Sequence, residues 1–407
     1  MTDLAPSHLN AIRLYGDEYD KDPAAVYERI RREHGPVAPI LLNGEIPAWF
    51  IGGYRELHQV CSDAKLFAKD TGRWNGWDTV PEDWPGRRFI APTNAVLYKE
   101  GDEHRRRAGA ISDALADVDQ FALRSQCERF ADELIDTFAG SGEADLIKQF
   151  ATRLPLLALI DIYGLSEPET SSLESDILDS LNTYTDATEA HERVAATMRR
   201  LLESKHRMAG PDFPSRLLDH PAELTDEEIA LDLVATIDVA LQPTAAWIGN
   251  TIRLMLVDDR FATTVIGGRA SVGEALNEVL WLDAPMQNII GRFPTRDTRI
   301  GGQQVREGDM LVLGFASANA DPVIHQDDEA MGNRAQMSFS HGEHACPWPA
   351  PELAEVITRT AIEVLLDRLP DLSLAVPADE LEWLPSSAMR GLAKLPVRFT
   401  PVYVPSD

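Results

Sequence analysis

The sequence predicts a mainly α fold, one large helical domain over residues 1–407 with a small β-sheet part. Three observations carry this reading. Apolar residues recur at helical spacing through most of the chain, strand patterns are few and short, and no Pro/Gly-rich linker, internal repeat or low-complexity tract divides it. With 44% hydrophobic and 26% charged residues, the composition is that of an ordinary globular protein, and 407 residues can bury a sizeable core.

The elements follow in chain order. "AWFIGG" (48–53) reads as a short strand. The segment 69–97 is irregular and carries Trp74, Trp77 and Trp84; a loop of that length usually has a task such as lining a site. Apolar residues recur at helical spacing from Ala108 to Phe138. "LTDEEIALDLVATIDVALQPTAAWIGNTIRLMLV" (224–257) is the longest helical pattern, opened by a capping box of Thr225 and Glu228. At 1.5 Å per residue it spans about 50 Å, enough to cross a domain. "SVGEALNEVLWLDAP" is a shorter helix stopped by Pro285. "TRIGGQQVREGDMLVLGFA" (298–316) is a hairpin around Gly301–Gly302 followed by an apolar strand. "APELAEVITRTAIEVLLDRLP" places Leu353, Val356, Ile357, Val364 and Leu365 on one face, with Pro351 suited to its first turn.

A net charge of −28 argues against nucleic acid and against anionic membrane surfaces. No run of about 18 apolar residues is evident, so no membrane span is expected. The polar, acidic N-terminus is unlike a secretory signal. The three cysteines, Cys61, Cys127 and Cys346, are few, odd in number and far apart. That usage fits a reducing cytoplasm rather than a disulfide framework.

The stretch "FSHGEHACPWP" (339–349) places His341, His344 and Cys346 within six positions. Zinc would usually need four ligands, and no second Cys/His pair lies near. A buried thiol in an ordinary loop is the plain alternative. The wider pattern, Phe339, Ser340, Gly342, His344 and Cys346, resembles the haem-ligand loop of the cytochrome P450 family. Other landmarks follow in order: "GDEHRRRAGAISDAL", "WIGNTI" in the long central helix, "EALNEVLWLDAP" in place of the family's Glu-x-x-Arg helix, "GRFPTRDTRIGGQQVREGDMLVL" and "ASANADP".

The resemblance implies haem b, bound with Cys346 as its axial thiolate ligand to iron; such a thiolate favours O–O cleavage. It implies that Phe339 shields the sulfur, that Gly342 turns tightly against the macrocycle, and that His104, Arg292 and His344 meet the haem propionates. Asp297 stands at the family's acidic position after Arg292. The family's arginine after the histidine falls on Ala108 here, and Arg107 is its expected substitute. Ala240, Gln242, Pro243 and Thr244 are expected to form the distal wall. The implied activity is insertion of one oxygen atom from O2 into an apolar or aromatic small molecule. A ferredoxin-type donor would supply the electrons, docking on Arg105 and Arg106. Guest contacts are expected from 69–97, 166–215 and 284–290.

Three departures matter. The family's acid–alcohol pair becomes Gln242–Pro243, which neither titrates nor offers a hydroxyl. Its proline is expected to open the helix locally and free the carbonyl of Val239. Glu-x-x-Arg becomes Glu278-x-x-Trp281, leaving Arg334 as the expected partner of Glu278. Cys346 is followed by Pro-Trp-Pro, in which only Trp348 has a backbone N–H. The first departure leaves open a peroxide-using enzyme, or a haem protein of non-oxidative function.

Overall fold

A computed structural model describes residues 8–402, apart from 83, 85, 92, 166–172, 178–186, 267–270 and 325–332. The longer helices among them are α1 (Pro23–His34), α2 (Tyr54–Ser62), α3 (Gly101–Ala116), α4 (Gln120–Asp136), α5 (Arg153–Tyr163), α6 (Ala187–Arg207), α7 (Asp226–Val257), α8 (Val272–Leu282) and α9 (Ala350–Arg368). Strands are short: β1 (Ile12–Arg13), β2 (Val37–Leu42), β3 (Ile46–Ile51), β4 (Phe67–Ala68), β5 (Glu143–Asp145), β6 (Asn288–Pro294), β7 (Thr298–Ile300), β8 (Gln303–Val305), β9 (Leu311–Gly314), β10 (Ser373–Leu374) and β11 (Pro396–Arg398). Mainly α with a small β part is therefore the observed fold.

The main sheet has the order β1-β2-β3-β9-β6-β4 and mixes parallel and antiparallel pairs. Its pleat alternates between two apolar clusters. Ala48, Phe50 and Val312 point into one, with Ile40, Trp74 and Trp84. Trp49, Ile51, Leu311 and Leu313 point into the other, with Leu57, Val60 and Cys61 of α2. Both faces are covered, so these strands lack the polar–apolar alternation that marks a half-exposed strand. A third, larger cluster holds the helices together, with residues from α3, α4, α5, α7, α8 and α9.

The predicted 108–138 helix is in fact two. α3 ends at Ala116, and Asp119 caps α4 by accepting hydrogen bonds from the N–H groups of Phe121 (2.9 Å) and Ala122 (3.1 Å). A side-chain acceptor at that position satisfies the first free N–H groups of a new helix. The capping box of Thr225 and Glu228 is present. The β7–β8 hairpin turns at Gly301 and Gly302, both at positive φ.

Helix α7 has a window long and apolar enough to cross a bilayer by length and composition, contrary to expectation; 56% of that window is buried in protein. It packs against α6, α9, α5 and α8 and so runs through the middle of the helical layer. The helix is continuous through Pro243, so the expected local opening is not seen.

Candidate active site

The cysteine loop is shaped by its own backbone. The N–H of Cys346 donates to the carbonyl of Phe339 at 3.0 Å, and that of Ala345 to Gly342 at 3.0 Å. Ser340 (φ 63°) and Gly342 (φ 77°) are both left-handed. The reason for glycine at 342 is closer to hand than a macrocycle. A Cβ there would sit 2.3 Å from the carbonyl oxygen of Cys61, so the loop is pressed against the end of α2. Gly342→Ala should therefore destabilise the fold by about 2–4 kcal/mol, combining left-handed strain with a backbone clash. Thermal unfolding of the variant checks this.

Phe339 meets Trp247 of α7 edge to face, ring centroids 5.9 Å apart. α9 begins at Ala350, four residues beyond the cysteine, so the positive end of its dipole lies at the loop. Cys346 is itself accessible, through an open cavity of about 290 Å3 between α3 and the loop. Protein nonetheless surrounds the sulfur, and that burial pushes its thiol up to about 12. Accessibility describes the cavity wall, whereas the pKa answers to the scarcity of water and charge around the atom. Only a strong positive partner such as a metal ion would hold this sulfur as thiolate at neutral pH.

Beside the loop, four basic side chains converge. His104 (α3) and His344 (loop) have ring centroids 4.1 Å apart. Arg292 (β6) is 2% exposed, and its one recorded hydrogen bond runs to its neighbour's carbonyl at 3.4 Å. Lys69 lies behind it, its Nζ 3.4 Å from where a Cβ on Gly291 would sit. Burial, reinforced by the Arg292 charge, lowers Lys69 to about 7 and His344 to about 2. His104 is lowered by burial first, with Arg292, Arg105 and Lys69 adding to it against Glu343. The Nε of Arg292 and the Nδ1 of His104 are buried with no hydrogen-bond partner. Two acids act on this cluster, and each is shared with an arginine outside it: Glu343 lies 3.9 Å from Nδ1 of His104 but pairs more closely with Arg105 at 3.1 Å, and Glu100 pairs with Arg73 at 3.0 Å.

Arg292 is a buried cation, which is costly by several kcal/mol without an anion, and burial holds Lys69, His104 and His344 toward their neutral forms for the same reason. A buried arginine and three such bases beside the Cys346 thiol fit a group with two carboxylates at one edge and a metal at its centre. The residues present therefore fit haem. Of the residues expected at the propionates, the structure brings His104 and His344 into ring contact and places the charge of Arg292 close enough to lower both. Lys69 was missed, because nothing in a lone loop lysine foretells that folding brings it to residue 291.

Arg107 requires correction as a cofactor ligand. It is fully buried and committed to α7: its Nη2 and Nε reach Asp232 at 2.5 and 2.9 Å, and its Nη1 donates to the carbonyl of Asn94 at 2.6 Å. One helical position rotates a side chain by about 100°, which turns Arg107 from the cofactor side toward α7. Arg106 also serves α7, pairing with Glu228 and donating to Ala222. Arg105 holds Asp102 and Glu343. The two arginines expected to dock an electron donor are thus already paired within the chain.

On α7, Thr244 is buried and its hydroxyl donates to the carbonyl of Ala240 at 2.7 Å. Ala240, Gln242 and Pro243 are partly exposed, and Val239 is 46% exposed despite lying in mid-helix. Arg334 does not serve Glu278; it pairs with Glu355 at 3.2 Å. Glu278 is half-buried, its carboxyl raised by burial first and by Asp258 second. Trp281 fills the space and donates its indole N–H to Asn333 at 2.8 Å. Asp297 accepts from the N–H of Glu307 at 2.9 Å.

The loop tryptophans pack one another and the sheet. Trp74 lies 5.1 Å from Trp77 and 6.0 Å from Trp84, and the indoles of Trp77 and Trp84 donate to Thr71 and Asn43. Of the expected guest-contact segments, 166–172 and 178–186 lie outside the described residues.

No family model matches the chain. It is 25% identical over 382 residues to 2-hydroxy-5-methyl-1-naphthoate 7-hydroxylase of Streptomyces carzinostaticus, covering 90% of this chain and 92% of that one. It is 29% identical over 399 residues to cytochrome P450-SU2 of Streptomyces griseolus, covering 95% and 96%. The fold superposes on CYP154C4 from Streptomyces sp. W2061 with a TM-score of 0.86 at 24% identity, covering 96% of this chain and 98% of that one. With full-length likeness to many such proteins and a cysteine loop flanked by buried bases, the chain belongs to the bacterial cytochrome P450 family of haem-containing monooxygenases.

Proposed function

We propose that the protein is a haem-thiolate monooxygenase that inserts one oxygen atom from O2 into an apolar small molecule, with electrons from a ferredoxin-type partner. The observation that carries the reading is the meeting of Lys69, His104, Arg292 and His344 beside Cys346. Those residues would hold haem b: Cys346 at the metal, the four bases at the propionates. When bound there, haem supplies the chemistry that activates oxygen. The chain's own part is to hold the group, exclude water and place the guest. Phe339, whose carbonyl accepts from the Cys346 N–H, packs against Trp247 of α7 and so ties the loop to the central helix. The open face of α7 around Val239 and Gln242 would form the guest's wall.

One observation favours a second oxidant. The Thr244 hydroxyl donates its hydrogen bond to the carbonyl of Ala240, Gln242 has no titrating proton, and Pro243 has no donor at all. The proton route common to O2-using relatives of this design is absent from these side chains. Hydrogen peroxide brings both oxygens and both protons, and it needs no external electrons. The Val239 carbonyl, unable to pair with Pro243, is an acceptor that could hold a water.

Two measurements test this. The reduced protein treated with carbon monoxide should show the red-shifted Soret band of thiolate ligation, and Cys346→Ala should abolish it. An unchanged band in the variant removes Cys346 as ligand. Turnover of a bound guest with ferredoxin, reductase and NAD(P)H is then compared with turnover on peroxide. A large excess for peroxide selects the second reading.

A further inference from the structure

The mid-helix stretch of α7 carries an acid that the expected chemistry does not use. Asp238 lies one turn before Gln242, on the same side of the helix, and next to the exposed Val239. The opposite side, with Ile237, Leu241 and Thr244, is buried in the helical core. Asp238 is therefore on the face that would line the guest chamber. Its Oδ2 lies 4.0 Å from Nδ1 of His191, near the start of α6, and the two side chains keep 36% and 52% of their exposure. Tyr98, at the end of the short helical turn Val96–Tyr98, shares the environment, since its phenol is raised by burial and then by the Asp238 charge.

The surroundings are poor in compensating charge. Burial raises the Asp238 carboxyl to about 6, and the one group opposing that rise is His191. No lysine or arginine acts on it. None is available from the stretch that leads into α6 either: residues 166–192 contain eight acids and no Lys or Arg. The nearest arginine beyond it, Arg193, holds Asp176 at 2.7 Å. A carboxylate with accessible surface in a part-buried, cation-poor chamber has a demand that a guest can meet.

We propose that Asp238 selects guests bearing a cationic nitrogen on an otherwise apolar body. The proposal rests on the preceding reading that the open face of α7 lines the guest chamber. The apolar part of such a guest lies along Val239 and Ala240, and its charged head lies against Asp238, with Tyr98 and His191 at its rim. An ammonium held here offsets the carboxylate's lost hydration, whereas a neutral guest of equal shape leaves that cost in place.

The test uses the haem-loaded protein and a matched pair of guests. One is a phenylalkyl trimethylammonium ion; the other is its tert-butyl carbon analogue, equal in shape but neutral. The quaternary nitrogen has no lone pair, so it cannot ligate iron. Affinities come from equilibrium dialysis, with the Soret shift recorded alongside. The cation is expected to bind about tenfold tighter or better. Asp238→Asn should erase that preference while leaving the neutral guest's affinity and the carbon monoxide spectrum as they were. Equal affinity for the two guests in the unmodified protein, failure of both to bind, or a preference that survives in D238N overturns the proposal. Loss of the thiolate band in the unmodified protein would count against the monooxygenase reading instead, and dialysis would still decide the guest preference.

Discussion

Arg107→Ala is expected to lower the unfolding free energy by about 3–5 kcal/mol, the range for removing one partner of a buried ion pair. The guanidinium is fully buried and meets Asp232 through two nitrogens, with Asn94 and Glu228 carbonyls taking its remaining donors. Its removal leaves the Asp232 carboxylate in a site where burial already raises its pKa more than Arg107 lowers it. Asp232 would keep only the Val96 N–H, at 2.8 Å. Urea unfolding of the variant measures the loss. The pair R107M/D232L should recover most of it, because an apolar pair leaves no buried charge. A drop below about 1 kcal/mol in R107A would mean that the pair does little for the fold.

Lys69→Met and Arg292→Gln are expected to act with opposite signs on the free and the haem-loaded protein. Without an anion, Lys69 is a buried amine held down to about 7, and its removal relieves a desolvation cost. The haem-free variant should melt at or above the temperature of the unmodified chain. With haem bound, each base pairs with a propionate, and losing one should speed haem transfer to apomyoglobin by roughly 10–100-fold, equivalent to about 1.4–2.7 kcal/mol. A single-sign result, with the haem-free protein destabilised and haem transfer unchanged, would make these residues part of the scaffold and remove them from the cofactor's grip. Conservative Lys69→Arg separates charge from shape, since it should restore slow transfer.

Long periodic helices were legible because their buried faces repeat along the sequence, as in α7 and α9, and because caps such as Thr225–Glu228 mark their starts. The division between α3 and α4 was not, since apolar spacing runs almost in phase across it and only Asp119 signals the new start. β2 escaped notice for a different reason: all six of its residues are buried, so no alternation marks it. At the site, the motif around Cys346 was readable as an ordered string. What could not be read was direction. Arg107 and the missing Ala108 arginine differ by one position, yet that rotation exchanges a cofactor contact for a helix contact. Lys69 and Arg292 stand more than two hundred residues apart, and only the pairing of β4 with β6 brings their segments together.

The pairing of α3 with α7 carries a mechanical consequence. Arg106 and Arg107 lash the front half of α7 at Glu228 and Asp232, while Asp238 through Thr244 follow about two to three turns beyond Asp232 on the same rigid rod. α3 also carries His104, so under the proposed function a single crossbeam would set the height of the cofactor's edge and the tilt of the chamber roof together. Loosening either arginine would show itself as misregistration between guest and metal, with products scattered over neighbouring carbons, before any outright loss of turnover.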